Sequence, residues 1–107
     1  EYVRQLIDFS NKGGNKEDRF LEKMLMSAMI EARSCERFRL LSEGISDENL
    51  KSFYHKLMIA EAQHYTMFID IALKYIDKDK VKKRWEEWLN HEALIMKDLE
   101  IRGDRVH

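Results

Sequence analysis

Proline is absent from this chain, and its four glycines stand at positions 13, 14, 44 and 103. The stretches between them contain nothing that forces a helix to break, because proline removes an intrahelical donor and glycine costs backbone entropy. Charged residues make up 36% of the chain and are interspersed rather than blocked. That suits the solvent faces of long amphipathic helices and argues against a sandwich or barrel. With 107 residues the chain is one domain at most. The fold expected is all-α: an antiparallel bundle of three long helices preceded by a short one.

The pattern places the short helix at residues 2–9, with Val3, Leu6 and Ile7 facing inward and Phe9 as a further inward candidate, and a flexible connector at 10–16. A long helix begins near Glu17, capped by Asn15, and ends at Ser42 or Glu43 with Gly44 as terminator. A second runs from Ser46 or Asp47 to Ile76. A third covers roughly residues 80–100, with Asp79 as cap. Two of the interhelix joints are only a few residues long, so consecutive helices should be antiparallel neighbours.

Lys and Arg number 19 against 20 Asp and Glu, so no whole-chain field announces a nucleic-acid or membrane partner. No apolar run approaches the ~20 residues of a membrane span. The single cysteine, Cys35, excludes an internal disulfide framework and suits a reducing cytosol. The opening at Glu1 rather than Met leads to the expectation of a piece of a longer polypeptide.

The chemistry is concentrated in Leu57 to Phe68. On a helix, Tyr54, Leu57, Glu61, His64, Phe68 and Ile71 fall on one side, apolar except for a carboxylate and an imidazole three residues apart. Burying either without a partner costs several kcal/mol. A metal explains both, because Glu-x-x-His joined by a lone Glu from a neighbouring helix is the recurring half-site of ferritin-like di-iron bundles. Glu31 supplies that lone carboxylate, in a stripe with Met24, Ala28, Cys35 and Phe38. Glu36 is the second candidate, but Arg33, Arg37 and Arg39 give it an ordinary ion-pair role. Glu31 lies thirteen residues before Gly44, while Glu61 and His64 lie sixteen and nineteen after Ile45. That register leaves a mismatch of a few to about nine ångströms at ~1.5 Å per residue. Without metal, Glu31 would pair with His64 or an arginine as a buried polar contact.

The last helix presents Trp85, Trp88, Leu89, Glu92, Ile95, Met96 and Leu99 inward. Methionines and Cys35 read as core, and His55, His91 and His107 as solvated. The run Lys78 to Arg84 reads as a solvated helix start, with Lys80, Lys82, Lys83 and Arg84 as candidate phosphate contacts.

The stretch Met29-Ile30-Glu31-Ala32-Arg33-Ser34-Cys35-Glu36-Arg37-Phe38, followed by Phe53-Tyr54-His55 and Glu61-Ala62-Gln63-His64-Tyr65, resembles the second half of the tRNA 2-methylthio-N6-isopentenyladenosine hydroxylase family. The likeness is close over about residues 25–75 and looser elsewhere. It implies a cytoplasmic non-haem di-iron monooxygenase on a ferritin-like four-helix bundle. Such an enzyme uses two iron ions, dioxygen and an external electron donor to hydroxylate the isopentenyl group of a hypermodified adenosine beside the tRNA anticodon. Glu61 and His64 match the family's last ligand pair and Glu31 the carboxylate opening its Glu-Ala-Arg motif; Glu36 belongs to the same motif. The family also has an earlier half with its own Glu and Glu-x-x-His, and residues 1–16 hold no such motif. The complete site then requires that missing N-terminal half, in the same or a separate polypeptide, or a second copy of this chain; a fragment of a longer enzyme is the preferred reading. The apolar face around Met24 to Ile30 is expected to need covering, so the chain should not exist as a lone monomer. Two rivals remain: a non-catalytic helical dimerisation or scaffold module, and a ferritin-like protein that stores iron or reduces peroxide.

Overall fold

The computed structural model describes residues 2–10 and 13–106, with side chains up to Leu99. Glu1, Asn11, Lys12 and His107 lie outside the described residues. Four helices follow one another: α1 (Tyr2–Phe9), α2 (Lys16–Gly44), α3 (Glu48–Tyr75) and α4 (Lys78–Val106). This is an all-α, ferritin-like antiparallel arrangement. None of the helices, over the described residues, is long and apolar enough to cross a membrane.

Local chemistry sets most boundaries. Asn15 caps α2, its Oδ1 accepting from the Asp18 amide at 2.8 Å, while Glu17 and Asp18 occupy the positive first turn. Asp47 caps α3 by accepting from the Leu50 amide at 3.1 Å. Replacing Asp47 with alanine should cost ~1 kcal/mol of stability, seen as a small fall in melting temperature with helicity retained.

Two boundaries differ from expectation. Gly44 is the last residue of α2, and the helix ends because Ile45 turns extended, at φ −98° and ψ 136°. Helix α4 starts at Lys78, not near 80, because Asp77 rather than Asp79 is its cap, accepting from the Asp79 and Lys80 amides. It then runs through Gly103 to Val106, since an isolated glycine costs a helix only ~1 kcal/mol.

Helices α2 and α3 form the long hairpin; α1 and α4 pack against each other and on α2, and α4 also reaches α3, where Trp85 meets Tyr65. The core joins Leu6 of α1, Leu25 and Met29 of α2, Ala72 of α3, and Trp88 and Ile95 of α4. In α1 the inner face is Tyr2, Leu6 and Phe9, so Leu6 and the candidate Phe9 do face inward, but Val3 and Ile7 are exposed and Tyr2 takes the inward place at the start of the helix. The spacing of 2, 6 and 9 keeps one helical face, which residue 7 leaves by 100°. Leu89 is exposed for the same reason, one residue off the Trp88–Glu92–Ile95 line. His91 is not solvated but stacks on Phe9, ring centroids 4.1 Å apart.

The expected bare face from Met24 to Ile30 is also corrected. Leu25, Ala28 and Met29 are buried and Met24, Met26 and Ile30 partly so, because α1 and α4 cover that side. Among the described residues α3 carries the longest run of uncovered apolar surface, with Leu50, Phe53, Ile59, Met67, Leu73 and Tyr75 exposed, while Leu40 and Leu41 of α2 and Leu94 of α4 are exposed as well. The radius of gyration, 15.8 Å, exceeds the ~13 Å of a compact domain of this length. The helices form a thin, open layer, 18 Å in its shortest dimension.

Candidate metal centre

Glu31 of α2 meets Glu61 and His64 of α3. One ligand atom from each lies within 4.8 Å of the other two, and His64 Nδ1 is 3.8 Å from Glu31 Oε2. The register mismatch expected from the sequence vanishes, because the joint spans Ile45 to Asp47. Glu31 stands thirteen residues before the end of α2 at Gly44, and Glu61 thirteen after the start of α3 at Glu48. The two carboxylates therefore sit at one level of the hairpin.

Burial makes this cluster chemically unusual. Glu61 Oε2 is buried and has no hydrogen-bond partner, whereas buried carboxylates are normally paired. Glu31 retains 26% side-chain exposure and His64 53%, so the cluster is closed on the hairpin side and open on the other. Metal–nitrogen and metal–oxygen bonds of ~2.0–2.2 Å place two donors of one ion up to ~4.4 Å apart. The observed spread needs only small rotamer shifts to meet that limit. Two carboxylates and an imidazole form a donor set that suits iron, and a cation would satisfy the orphaned Glu61 oxygen.

Glu36 is not brought to this point. Arg39 donates to it from Nε at 3.0 Å and Nη2 at 2.5 Å, and those bonds, with Arg39 and Arg33 charge, hold its carboxyl below the usual range. Nor is Glu92 free. It accepts from the Tyr2 hydroxyl at 2.5 Å and from Arg33 at 3.2 Å, tying α1, α2 and α4 together. Burial, then the Glu92 contact, raises the Tyr2 phenol above its ordinary value. Cys35 donates to the Met58 carbonyl at 3.4 Å, pinning α2 to α3 one turn from Glu31.

A further buried carboxylate, Glu22, escaped the sequence reading. It accepts from Arg84 Nε (2.9 Å) and Nη2 (2.5 Å) and from the Trp88 indole (3.0 Å). The signal was present: Glu22 shares a helical face with Leu25 and Met29, as Glu31 shares one with Ala28 and Cys35. The candidate phosphate contacts thin out accordingly. Arg84 serves Glu22, and Lys80 serves Glu17 and Asp18 at 3.0 and 2.7 Å. Lys78, Lys82 and Lys83 remain exposed.

A helical hairpin with carboxylates and an imidazole converging between its arms defines the class: a ferritin-like domain with a candidate metal centre. The particular family follows from comparison. The model of the tRNA-(MS[2]IO[6]A)-hydroxylase (MiaE) family matches residues 1–107, and the chain belongs to that family. Two curated relatives are both called tRNA 2-(methylsulfanyl)-N(6)-isopentenyladenosine(37) hydroxylase. The Pseudomonas putida protein is 38% identical over 65 residues, 61% of this chain and 31% of its own length. The Salmonella typhimurium protein is 41% identical over 59 residues, 55% of this chain and 22% of its own length. The matched part of the chain thus spans under a third of either relative. No solved structure gives a significant match.

Proposed function

We propose that the chain is the part of a cytoplasmic, O2-dependent tRNA hydroxylase that supplies one Glu and one Glu-x-x-His to a non-haem di-iron site. The observation that carries this reading is the convergence of Glu31, Glu61 and His64, with Glu61 Oε2 buried and unpartnered, in a member of a hydroxylase family. The substrate is the isopentenyl group of a hypermodified adenosine beside the anticodon. Iron bound there, with electrons from an external donor, supplies the dioxygen chemistry needed to hydroxylate an unactivated C–H bond.

The residues of this chain bind and position. Glu31 and Glu61 offset cationic charge, and His64 donates a nitrogen from the open side. Leu57 and Phe68 share the helical face of Glu61 and His64 and make it apolar on either side of them. Three donors make half of a di-iron set. The remainder comes from the earlier half of a longer enzyme, or else from a second copy of this chain. Lys82 and Lys83, exposed and on one side of α4, are the basic residues of the 78–84 run suited to tRNA phosphates.

The test is iron analysis after assembly with the complementary half, with mass spectrometry of nucleosides from substrate tRNA. About two irons per completed site and a product one oxygen heavier are expected. Iron without tRNA oxidation would favour the storage or peroxide-reducing protein, and absence of iron the scaffold module. Glu36→Ala should leave iron content unchanged; a drop would move the third ligand from Glu31 to Glu36.

A further inference from the structure

Helix α2 sorts its charges by side. Its carboxylates, Glu17, Asp18, Glu22, Glu31, Glu36 and Glu43, all fall on one half of the helical wheel. Each is engaged there: Lys80 holds Glu17 and Asp18, Arg84 holds Glu22, Arg39 holds Glu36 and Glu43, and Glu31 belongs to the metal cluster. Four cations, Lys16, Arg19, Lys23 and Arg37, occupy a strip about 60° wide on the other half. All four are exposed, and none is paired with a carboxylate among the described residues. The one acid within a helical turn of them, Glu22 beside Arg19, is held by Arg84 and Trp88. A solvated helix face normally mixes signs, because opposite charges three or four residues apart stabilise it. A strip of one sign repels itself and attracts an outside anion. Lys82 and Lys83 of α4, by contrast, stand among Asp79, Glu86 and Glu87.

The strip has a definite relation to the metal cluster. Cys35, on the flank of Glu31 away from the strip, touches the Met58 carbonyl. Met58 in turn stands on the flank of Glu61 away from His64. The strip and the half-exposed His64 therefore lie on the same side of the hairpin, while α4 closes the other side, where Trp85 meets Tyr65. Along the axis, Lys23 lies eight residues before Glu31 and Arg37 six after it, ~12 Å and ~9 Å away. Between them the strip carries Ser27, Ile30 and Ser34, none of them charged. A polyanion gripped at both ends passes its middle over the open mouth of the cluster.

From this arrangement we infer that the outer edge of α2 is the track for the tRNA backbone, with Lys16, Arg19 and Lys23 on phosphates to one side of the target nucleoside and Arg37 on a phosphate to the other. Such a track takes single-stranded loop RNA, whose bases are free to turn inward while cations hold the backbone. The identity of the RNA rests on the hydroxylase reading; the binding surface does not.

The test is fluorescence anisotropy of a labelled anticodon stem-loop RNA titrated with the full chain between about 50 and 200 mM salt. Arg19→Gln, Lys23→Gln and Arg37→Gln combined should weaken binding at least about tenfold. They should also lower the slope of log affinity against log salt by about 2, at ~0.7 for each lost single-strand phosphate contact. Lys51→Gln, Lys56→Gln and Lys74→Gln on α3, which remove the same charge from another surface, should leave that slope unchanged, with the circular dichroism of both variants like the parent's. Absence of RNA binding, or an equal loss from both triple variants, would overturn the proposal. So would an α2 variant that keeps its RNA affinity but no longer assembles with the complementary half, because the strip would then be an internal interface. The hydroxylase reading is judged separately, by iron at Glu31, Glu61 and His64, which these substitutions leave in place. RNA bound through the strip yet never oxidised would remove that reading and leave the surface standing.

Discussion

Glu22→Ala should be the most damaging substitution of a charged residue described in this chain. The Glu22 side chain is only 6% exposed, and it holds Arg84 through two hydrogen bonds and Trp88 through a third. Removing it leaves a guanidinium, 22% exposed, with only the looser Glu87 contact at 3.6 Å, and orphans the indole donor of a fully buried tryptophan. Breaking a buried pair in this way costs ~3–5 kcal/mol, and the residual exposure of Arg84 places the loss near ~3 kcal/mol. For a domain this size the melting temperature should fall by roughly 15 °C. Because Arg84 also lies over Phe9, 4.6 Å from the ring centroid, docking of α1 should loosen with it. Glu22→Gln, which keeps the shape and one acceptor, should fall between. A thermal melt in which Glu22→Ala matches the parent within 1–2 °C would mean that water already serves Arg84 and the network is ornamental.

The candidate centre was legible in the sequence because its signal is local. A carboxylate and an imidazole within one apolar stripe reveal themselves through the 3.6-residue period alone, and Glu31 did so on a second helix. The apparent mismatch in register came from one detail that periodicity does not reach, namely where each helix stops. Counting from Ile45 put Glu61 three residues too far along. The structure begins α3 at Glu48, because Asp47 spends its side chain on the cap. The start of α4 slipped for a like reason: Asp77 and Asp79 are equally good caps by composition, and the backbone selected the former.

What stayed hidden is tertiary. Both α2 and α3 carry more apolar residues than a two-helix hairpin can bury, and nothing in their patterns says which surplus α1 and α4 will take. They took that of α2, so Met24 to Ile30 is covered and Ile59 and Met67 are not. The pairing of Glu22 with Arg84 spans 62 positions, and no sequence period connects residues so far apart. Tyr2, Arg33 and Glu92 form a second such tie: Glu92 stands out as a charge in the inward stripe of α4, but only the docking of α1 and α2 against α4 reveals Tyr2 and Arg33 as its partners.

Glu61→Ala should separate a metal centre from a polar contact more sharply than an activity assay. In metal-free protein Glu61 Oε2 is a buried acceptor with no partner, and such a group costs ~1–3 kcal/mol, more when charged. Its removal should therefore leave the metal-free melting temperature unchanged or raise it. The parent should gain stability from ferrous iron supplied anaerobically, about 2.7 kcal/mol at a hundredfold excess over the dissociation constant, and Glu61→Ala should gain none. His64→Ala should behave likewise towards iron, and its metal-free stability should change little because its side chain is 53% exposed. A structural role for the cluster predicts the reverse ordering: Glu61→Ala would then destabilise the protein with or without iron. Parallel melts with and without iron, on a sample holding the complementary ligands, decide between them. An iron-induced gain that survives both substitutions would show that the metal binds elsewhere. Destabilisation of metal-free Glu61→Ala would show that the carboxylate is already satisfied, and either result removes the chemical basis for the hydroxylase reading.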